Sequence, residues 1–264
     1  MGDDAWHDRD AYEAYIGRWS RAVASPFVDW LAVAAGSRWV DVGCGSGALT
    51  ETILDRADPA EVSAVDPSPA FVEAARRRVG DARARFAIGD AATLPLEAGS
   101  RDAVVSGLVL NFVPDLVAAM GEMRRVAEPG ATVASYVWDY ADGMGLIRTF
   151  WDAAVALHPG ARPLDEAVRF PICAPGPLAR AFEDAGLSAV ETVAIEVATT
   201  FIDFDDYWTP FLRATGPAPA YVASLDDDSR RALRDRLRSS LPTDSDGSIS
   251  LVARAWAVRG RNAW

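Results

Sequence analysis

Residues 39–50, WVDVGCGSGALT, join a short apolar run to a closely spaced set of glycines. Gly43, Gly45 and Ala48 fit the G-x-G-x-x-G/A spacing of the strand-to-helix turn that binds dinucleotides. A tight glycine turn lets backbone N–H groups approach a ligand at the start of a helix. The spacing therefore predicts a nucleotide-type cofactor site, and by itself it does not say which cofactor binds there.

Carboxylates stand at the ends of three successive predicted strands. Asp41 precedes the first glycine by two residues. A carboxylate there would repel a pyrophosphate and attract an ammonium group, so it favours a cationic ligand, although a capping role for Asp41 is the alternative. Asp66, about 20 residues further on, is placed to accept from ribose hydroxyls. Asp90 ends the third strand and is placed to accept from an adenine amino group.

The elements that position these residues alternate along the first half of the chain. Apolar runs predict strands at 39–42, 62–66, 84–90, 102–110 and 131–139. A helix follows Ser68 as N-cap with Pro69 at its first position, and another begins at Asp115 and ends at Pro129–Gly130. This alternation predicts a parallel, doubly wound sheet that binds ligands at the carboxyl ends of its strands.

The second half of the chain departs from this alternation. It contains a helix around 177–185, strands at 190–201 and 249–258, and a further helix with leucines at four-residue spacing. We predict an α/β, Rossmann-like seven-stranded sheet with an antiparallel last strand and helical lid insertions. The predicted organisation is one domain, 1–264, with an N-terminal cap at 1–25, a cofactor-binding core at 36–139, and lid or substrate insertions at 140–174 and 203–247.

Composition limits the classes of partner. The net charge is −12, all 26 basic residues are arginine, and their clusters are small, which argues against a nucleic-acid partner. No apolar stretch is long enough to span a bilayer, and the polar N-terminus is not typical of a targeting signal. We expect a cytoplasmic, bacterial protein that acts on a small molecule, with two reduced cysteines and no metal. The oligomeric state is not indicated.

Five stretches in register resemble the class I S-adenosylmethionine-dependent methyltransferases, in the small-molecule group that includes the ubiquinone and menaquinone biosynthesis enzymes. They are VDVGCGSG (40–47), AVDPS (64–68), GDAATLPL (89–96), DAVVSGLVLNFVPD (102–115) and EMRRVAEPGATV (122–133). The resemblance covers roughly residues 16 to 139. It implies S-adenosylmethionine as cofactor, S-adenosylhomocysteine as product, and methyl transfer to an O, N or C atom of a small, aromatic or apolar molecule.

The resemblance also implies roles for individual residues. The methionine portion would be held by Asp41, Gly43, Gly45 and Gly47, and by Leu108 after the fourth strand. Asp66, with Pro67 beside it, would take the ribose, and Asp90 and Ala91 would take the adenine. Arg18 would bind the methionine carboxylate, since a guanidinium forms a bidentate fork; packing against the sheet is its alternative role.

Catalytic residues leave a weak signature, because a dry pocket that aligns the methyl group with its acceptor supplies much of the rate enhancement. The candidates are Asp139 after the fifth strand, Asn111 where many members of the family carry a histidine, and His7 in the N-terminal segment. An amide positions an acceptor but cannot deprotonate it. His158 is interpreted as a surface histidine, and a surface position is likewise the alternative for His7. Four aromatic residues either pack the last insertion or contact substrate: Tyr207, Trp208, Phe211 and Tyr221.

Two other function classes remain open from the sequence. The Gly43, Gly45 and Ala48 match also fits an NAD-dependent oxidoreductase, which would bind a nicotinamide dinucleotide and tolerate loss of the Asp41 carboxylate. A non-catalytic cofactor-binding module on the same fold is the second alternative.

Overall fold

The structure, a computed structural model, describes residues 17–213 and 216–263 and divides into two compact units. Unit 1 comprises the described residues within Met1–Trp19, together with Trp138–Cys173 and Glu196–Ala255. Unit 2 comprises Ser20–Val137, Ala174–Ile195 and the described residues within Trp256–Trp264. The sequence prediction of a single domain with lid insertions stays a prediction.

The strands form one seven-stranded sheet in the order β3-β2-β1-β4-β5-β7-β6. Their bounds are β1 Arg38–Val42, β2 Glu61–Asp66, β3 Ala84–Ile88, β4 Arg101–Gly107, β5 Ala127–Trp138, β6 Leu187–Phe201 and β7 Ile249–Asn262. The pairs β1–β2, β1–β4, β2–β3 and β4–β5 are parallel. In the central register Asp41 lies opposite Ala64 on one side and Val105 on the other.

The last strand runs antiparallel to β5. In unit 1 the backbone N–H of Asp139, just after β5, donates to the carbonyl of Arg254. In unit 2 the amide of Asn262, at the far end of β7, donates to the carbonyl of Ala127, where β5 begins. The start of one strand therefore lies beside the end of the other. The predicted α/β fold, with a seven-stranded sheet and an antiparallel last strand, is confirmed.

The α-helices are α1 Arg18–Leu31, α2 Ala48–Arg56, α3 Pro69–Arg78, α4 Leu116–Val126, α5 Gly145–Leu157, α6 Glu166–Arg169, α7 Pro175–Asp184, α8 Phe204–Arg213, α9 Pro217–Ser224 and α10 Asp227–Ser240. Short 3₁₀ turns span Leu110–Phe112 and Pro159–Leu164. None of the helices in the described ranges combines the length and the apolar composition that crossing a bilayer requires.

Side-chain caps explain where several helices begin. The hydroxyl of Ser68 accepts from the N–H of Phe71 at 3.4 Å, with Pro69 as the first residue of α3. The carboxylate of Asp115 accepts from Ala118 N at 2.9 Å at the start of α4. Each cap satisfies an N–H that has no partner inside its helix. The predicted starts of these two helices are confirmed.

Several strand boundaries predicted from sequence are wrong, among them the end of the third strand (Ile88, not 90), the start of the sixth (Leu187, not 190) and the end of the last (Asn262, not 258). The fourth strand, expected at 102–110, ends at Gly107 because Leu108 adopts the left-handed conformation, with φ 62°. The fifth, expected from residue 131, begins at Ala127, so α4 ends before Pro129. Apolar residues continue past Gly107, so hydrophobicity alone does not mark the end of β4. The first residues of β5 include Glu128, Pro129 and Gly130, which indicate a turn rather than a strand.

Unit 1 contains a core of aromatic side chains drawn from three helices. Phe150 of α5 stacks on Phe211 of α8, with ring centroids 4.5 Å apart, and Tyr207 lies 5.5 Å from Phe211. Trp151 and Tyr221 of α9 are 5.6 Å apart. All five side chains are buried. Stacked and tilted ring pairs of this kind stabilise a core beyond the apolar area they bury.

The cysteines of the chain are both buried and unpaired. Cys44 belongs to unit 2 and follows β1 in the sequence. Cys173 belongs to unit 1 and is the last residue of that unit before the chain enters unit 2. Burial raises the pKa of each thiol, because it disfavours the charged thiolate.

Replacing the central ring of the aromatic core tests its contribution. We expect Phe150→Ala to lower the free energy of unfolding by about 3–5 kcal/mol, because it leaves a cavity among rigid neighbours. Ile202→Ala, at a side chain that is 80% exposed in the same unit, should change it by less than about 0.5 kcal/mol. Urea unfolding followed by circular dichroism measures both, and equal effects would contradict a packed aromatic core.

Candidate functional site

The glycine turn is fixed to the end of the neighbouring strand through its backbone. The N–H groups of Gly43 and Cys44 both donate to the carbonyl of Val65, at 2.7 and 3.0 Å. The N–H of Gly45 donates to Oδ2 of Asp66 at 2.9 Å. These three bonds hold the carboxyl ends of β1 and β2 together, at the edge of the sheet where α/β folds bind ligands.

Two glycines of the turn are required for different reasons. Gly43 has φ 76°, and a Cβ atom there would lie 2.6 Å from Cγ1 of Val109. Gly45 has φ 50°, and a Cβ atom there would meet nothing within 4 Å. The first glycine therefore permits close packing against the segment after β4. The second lies beside open space that a ligand can occupy.

Asp41 is a carboxylate inside the sheet. Its side chain is fully buried, Oδ2 accepts a 2.7 Å bond from the Thr50 hydroxyl, and Oδ1 has no hydrogen-bond partner. Burial raises the pKa of Asp41 from 3.8 to about 7; the Thr50 bond opposes this shift, and the nearby Asp66 charge adds to it. An unpartnered, buried carboxylate oxygen is costly, and a cationic donor would relieve that cost.

Asp66 ends β2 and braces the loop that follows. Oδ2 accepts from Gly45 N, and Oδ1 accepts from Ser68 N at 2.9 Å. Burial raises the pKa of Asp66, while these two backbone bonds lower it. Each carboxylate oxygen has a second lone pair, so the residue can still accept from a ligand. Pro67 beside it is exposed.

The end of β3 supplies a third carboxylate. Asp90 is exposed, and its Oδ1 accepts from Ala92 N at 2.7 Å in a tight turn, next to the half-buried Ala91. Gly89 allows this turn to pack, because a Cβ atom there would lie 2.9 Å from both Pro95 and Val65. The three predicted carboxylates thus occupy the ends of β1, β2 and β3, which are neighbours in the sheet.

The segment after β4 lies against the glycine turn. Leu108 is 9% exposed, and its N–H donates to the carbonyl of Tyr136 at 2.8 Å. Val109 contacts Gly43, and Asn111 lies in the following 3₁₀ turn. The amide nitrogen of Asn111 is buried without a hydrogen-bond partner. The structure therefore brings Leu108 beside the turn that holds the predicted cofactor site.

Asp139 belongs to unit 1, and both of its carboxylate oxygens are engaged. Oδ2 accepts from Nε and Nη2 of Arg254, each at 2.7 Å, and Oδ1 accepts from Asp142 N at 3.1 Å. Its carbonyl accepts from Gly143 and Met144. These bonds resemble those of a structural carboxylate that fixes a turn, and the predicted catalytic role of Asp139 stays a prediction.

The remaining candidates differ in how much the structure describes. His7 and the side chain of Arg18 lie outside the described residues. Nδ1 of His158 pairs with the hydroxyl of Tyr221 at 2.9 Å, within unit 1. The four aromatic residues left open by the sequence are all buried, and Tyr207 donates to the carbonyl of Leu146 at 3.1 Å. Their observed contacts are ring packing and hydrogen bonds with other groups of unit 1.

Sequence reasoning missed two residues of the site. Thr50 is fully buried and supplies the observed bond to Asp41, and Val109 sets the space available at Gly43. Thr50 could have been predicted from sequence. It is a polar residue on the apolar face of the helix that follows β1, and β1 carries the acid Asp41. Nothing in the sequence marks Val109, because its role depends on the left-handed backbone of Leu108.

Comparison with known proteins finds one family model, described as a methyltransferase domain, that matches residues 40–135. A trans-aconitate 2-methyltransferase of Methylobacterium radiotolerans is 30% identical over 240 residues, covering 85% of this chain and 86% of that protein. An uncharacterized 37.1 kDa protein in transposon TN4556 of Streptomyces fradiae is 34% identical over 186 residues, covering 70% of this chain and 52% of that protein.

The chain thus spans about half the length of several curated relatives that it matches. Among solved structures, a geranyl diphosphate methyltransferase in complex with S-adenosylmethionine has a TM-score of 0.54 at 19% identity, covering 93% of this chain and 87% of that one. This likeness concerns the fold. The matched family is a methyltransferase family, and the oxidoreductase alternative drawn from the glycine spacing gains no support.

The raised pKa of Asp41 predicts a pH-dependent stability. Between about pH 4 and pH 7 the folded chain holds a proton that the unfolded chain has lost, so burial of Asp41 destabilises the fold increasingly as the pH rises. Asp41→Asn removes this titration and keeps an acceptor for Thr50. We expect Asp41→Asn to raise the free energy of unfolding by roughly 4 kcal/mol more at pH 8 than at pH 4.

Urea unfolding of wild type and variant at both pH values measures this difference. Asp102→Asn is the matched control, because the Arg38 guanidinium lowers the pKa of Asp102. That carboxylate stabilises the fold above its unfolded pKa, and the stabilisation is lost as the pH falls. Asp102→Asn should therefore lower the free energy of unfolding, and it should do so more at pH 8 than at pH 4. An Asp41→Asn effect that is independent of pH would contradict the assignment.

The contact between Gly43 and Val109 predicts a compensating pair of substitutions. Gly43→Ala introduces both a clash and left-handed strain, whereas Gly45→Ala introduces strain alone, of about 1–2 kcal/mol. We expect Gly43→Ala to cost about 1–3 kcal/mol more than Gly45→Ala. Adding Val109→Ala should recover that excess in a double-mutant cycle of unfolding free energies. Additive effects at positions 43 and 109 would show that the two residues are not coupled.

Proposed function

Since the chain belongs to the S-adenosylmethionine-dependent methyltransferase family, we propose that it transfers the methyl group of S-adenosylmethionine to an oxygen, nitrogen or carbon atom of a small molecule. The observation that supports this proposal best is the pair of acids at the glycine turn. Asp41 is fully buried with one unpartnered oxygen, and Asp66 is bonded to the backbone of that turn.

The donor set fits this cofactor. An ammonium group near Asp41 would satisfy the unpartnered oxygen, and ribose hydroxyls would use the free lone pairs of Asp66. The open space beside Gly45 gives a ligand access to the backbone of the turn. Asp90 and Ala91 would take the adenine, and Leu108 would face the methionine end. Pro67 and Gly47 would shape the groove, and Arg18 remains the candidate partner for the methionine carboxylate.

When bound, S-adenosylmethionine would supply a methyl carbon that bonds to the acceptor atom as its bond to the sulfonium sulfur breaks, with S-adenosylhomocysteine as the leaving group. The contribution of this chain is to bind and orient the two reactants and to exclude water. The carboxylates of Asp41 and Asp66 complement positive charge and hydroxyl donors on the cofactor side. A general base is needed only for an acceptor that must lose a proton early in the reaction.

Three residues are the candidates on the acceptor side. Asn111 would orient an acceptor through its amide but could not deprotonate it. Asp139 remains the candidate acceptor-side carboxylate, and its bonds from Arg254 and from the Asp142 N–H also hold the turn that follows β5. His7, the third candidate, would supply a base if the N-terminal segment reaches the acceptor.

The acceptor class is proposed from chemistry. An aromatic or apolar molecule is the class expected from the aromatic-rich insertions. The buried rings of unit 1 pack on one another, which weakens that expectation. One relative, which covers 85% of this chain, is a trans-aconitate 2-methyltransferase. A carboxylate oxygen is therefore a second class to be tested beside phenols and amines.

Transfer of a labelled methyl group tests the proposal directly. The protein is incubated with methyl-labelled S-adenosylmethionine and a panel of phenols, amines, quinone precursors and carboxylic acids including trans-aconitate. We expect label in one class of acceptor. If the cofactor binds and no member of a broad panel is labelled, a non-catalytic cofactor-binding module becomes the better interpretation.

Calorimetric titration with S-adenosylhomocysteine tests the cofactor site separately. Asp66→Asn should weaken binding by about tenfold or more, because a charge-assisted hydrogen bond is lost. Asp55→Asn removes the same charge from an exposed position on α2 and should leave the affinity unchanged. Failure of the wild-type protein to bind, or equal affinities for both variants, would overturn the assignment of the groove.

A further inference from the structure

Unit 2 contains a concavity at the edge of the sheet opposite the glycine turn. It lies where β4 and β5 begin, is open to solvent, and has a volume of about 410 Å³. Gly121 and Arg124 of α4 line it together with Ala185 and Asn262. A volume of this size is typical of small-molecule sites. None of these residues takes part in the proposed cofactor groove.

Arg124 brings a positive charge to this cavity. Its Nη1 donates to the carbonyl of Ala185 at 3.2 Å, and its Nε to Oδ1 of Asn262 at 3.4 Å. Both acceptors are neutral and both bonds are long. Within the described residues, no carboxylate forms an ion pair with Arg124. A guanidinium has five N–H donors in a planar fork, so part of that fork remains available.

The neighbouring charged groups are already paired with one another. Arg125 donates to both oxygens of Glu122, at 2.6 and 2.7 Å, and also to the carbonyls of Leu94 and Leu96. Glu128 forms an ion pair with Arg38. These carboxylates therefore do not neutralise Arg124, although the chain as a whole carries a net charge of −12.

The residues around Arg124 keep the cavity open and the guanidinium in place. The amide nitrogen of the buried Asn262 donates to the carbonyl of Ala127 at 2.8 Å, which turns its oxygen toward Arg124. Gly186 leaves room for the guanidinium, since a Cβ atom there would lie 2.8 Å from Nη1.

Gly121 is an unfavourable residue for the interior of α4. A Cβ atom there would meet nothing within 4 Å, so packing does not require the glycine. The absence of a side chain leaves the cavity open one turn before Arg124.

We propose that this cavity binds a small oxyanion, a phosphate or carboxylate group, through the Arg124 guanidinium. Paired N–H donors of a guanidinium match the oxygens of such groups in a bidentate arrangement. The site is independent of the cofactor groove, and the proposal does not depend on the identity of the methyl acceptor.

Titration of the arginine Nε–H signals by nuclear magnetic resonance tests the site. The protein, saturated with S-adenosylhomocysteine to occupy the cofactor groove, is titrated with sodium phosphate and separately with sodium acetate at constant ionic strength. We expect one Nε–H signal, absent from Arg124→Gln, to shift saturably. Tighter binding of phosphate would assign a phosphate-bearing ligand, and tighter binding of acetate a carboxylate. No saturable shift with either anion would overturn the proposal.

Substitution of Gly121 keeps Arg124 and tests the cavity itself. Gly121→Glu places a carboxylate three residues before Arg124 on α4, where it can occupy the guanidinium. It should weaken anion binding by about tenfold or more. Gly121→Gln, of the same size without the charge, should weaken it less. Arg77→Gln, which removes an exposed arginine of α3, should have no effect. Equal binding by Gly121→Glu and wild type would contradict the site.

Discussion

The carbonyl of Val65 accepts hydrogen bonds from the N–H groups of Gly43 and Cys44 in the glycine turn, and the next N–H, that of Gly45, donates to the Asp66 carboxylate. These bonds cross between β1 and β2, so the turn and the acid at the end of the neighbouring strand form one rigid unit. Because the backbone groups are fixed before a ligand arrives, little conformational entropy is lost on binding. The helix that follows, the buried Thr50 bond and the packing of Val109 all depend on this geometry.

Burial of two carboxylates in that unit opposes folding and favours binding. Asp41 and Asp66 both have raised pKa values because the surrounding sheet removes water from them. A ligand that brings positive charge and hydroxyl donors recovers part of this cost, so the same groups that weaken the free protein select its cofactor. Stability is commonly lower where a site must present charge in an apolar setting.

The sequence predicted the features that depend on local chemistry. The strand alternation, the Ser68 and Asp115 caps and the acids at three strand ends all follow from residue type and spacing. Features that depend on distant partners could not be predicted. The pairing of Asp139 joins residues 115 positions apart, and the left-handed Leu108 ends β4 inside an apolar run.

The aromatic residues of the second half illustrate the same limit. A sequence shows that they are numerous, and only the fold shows that they fill a core of their own. The number of aromatic residues in the second half is therefore weak evidence that the methyl acceptor is aromatic.

The two cysteines give the chain one buried thiol in each unit. A thiol that is inaccessible and weakly acidic in the closed protein reacts with an alkylating reagent only during local opening. The rates at which Cys44 and Cys173 are alkylated therefore report the opening of each unit separately, and no engineered cysteine is needed. With no lysine in the chain, reagents that also attack side-chain amines have fewer competing targets, and each modification can be attributed to its thiol by mass.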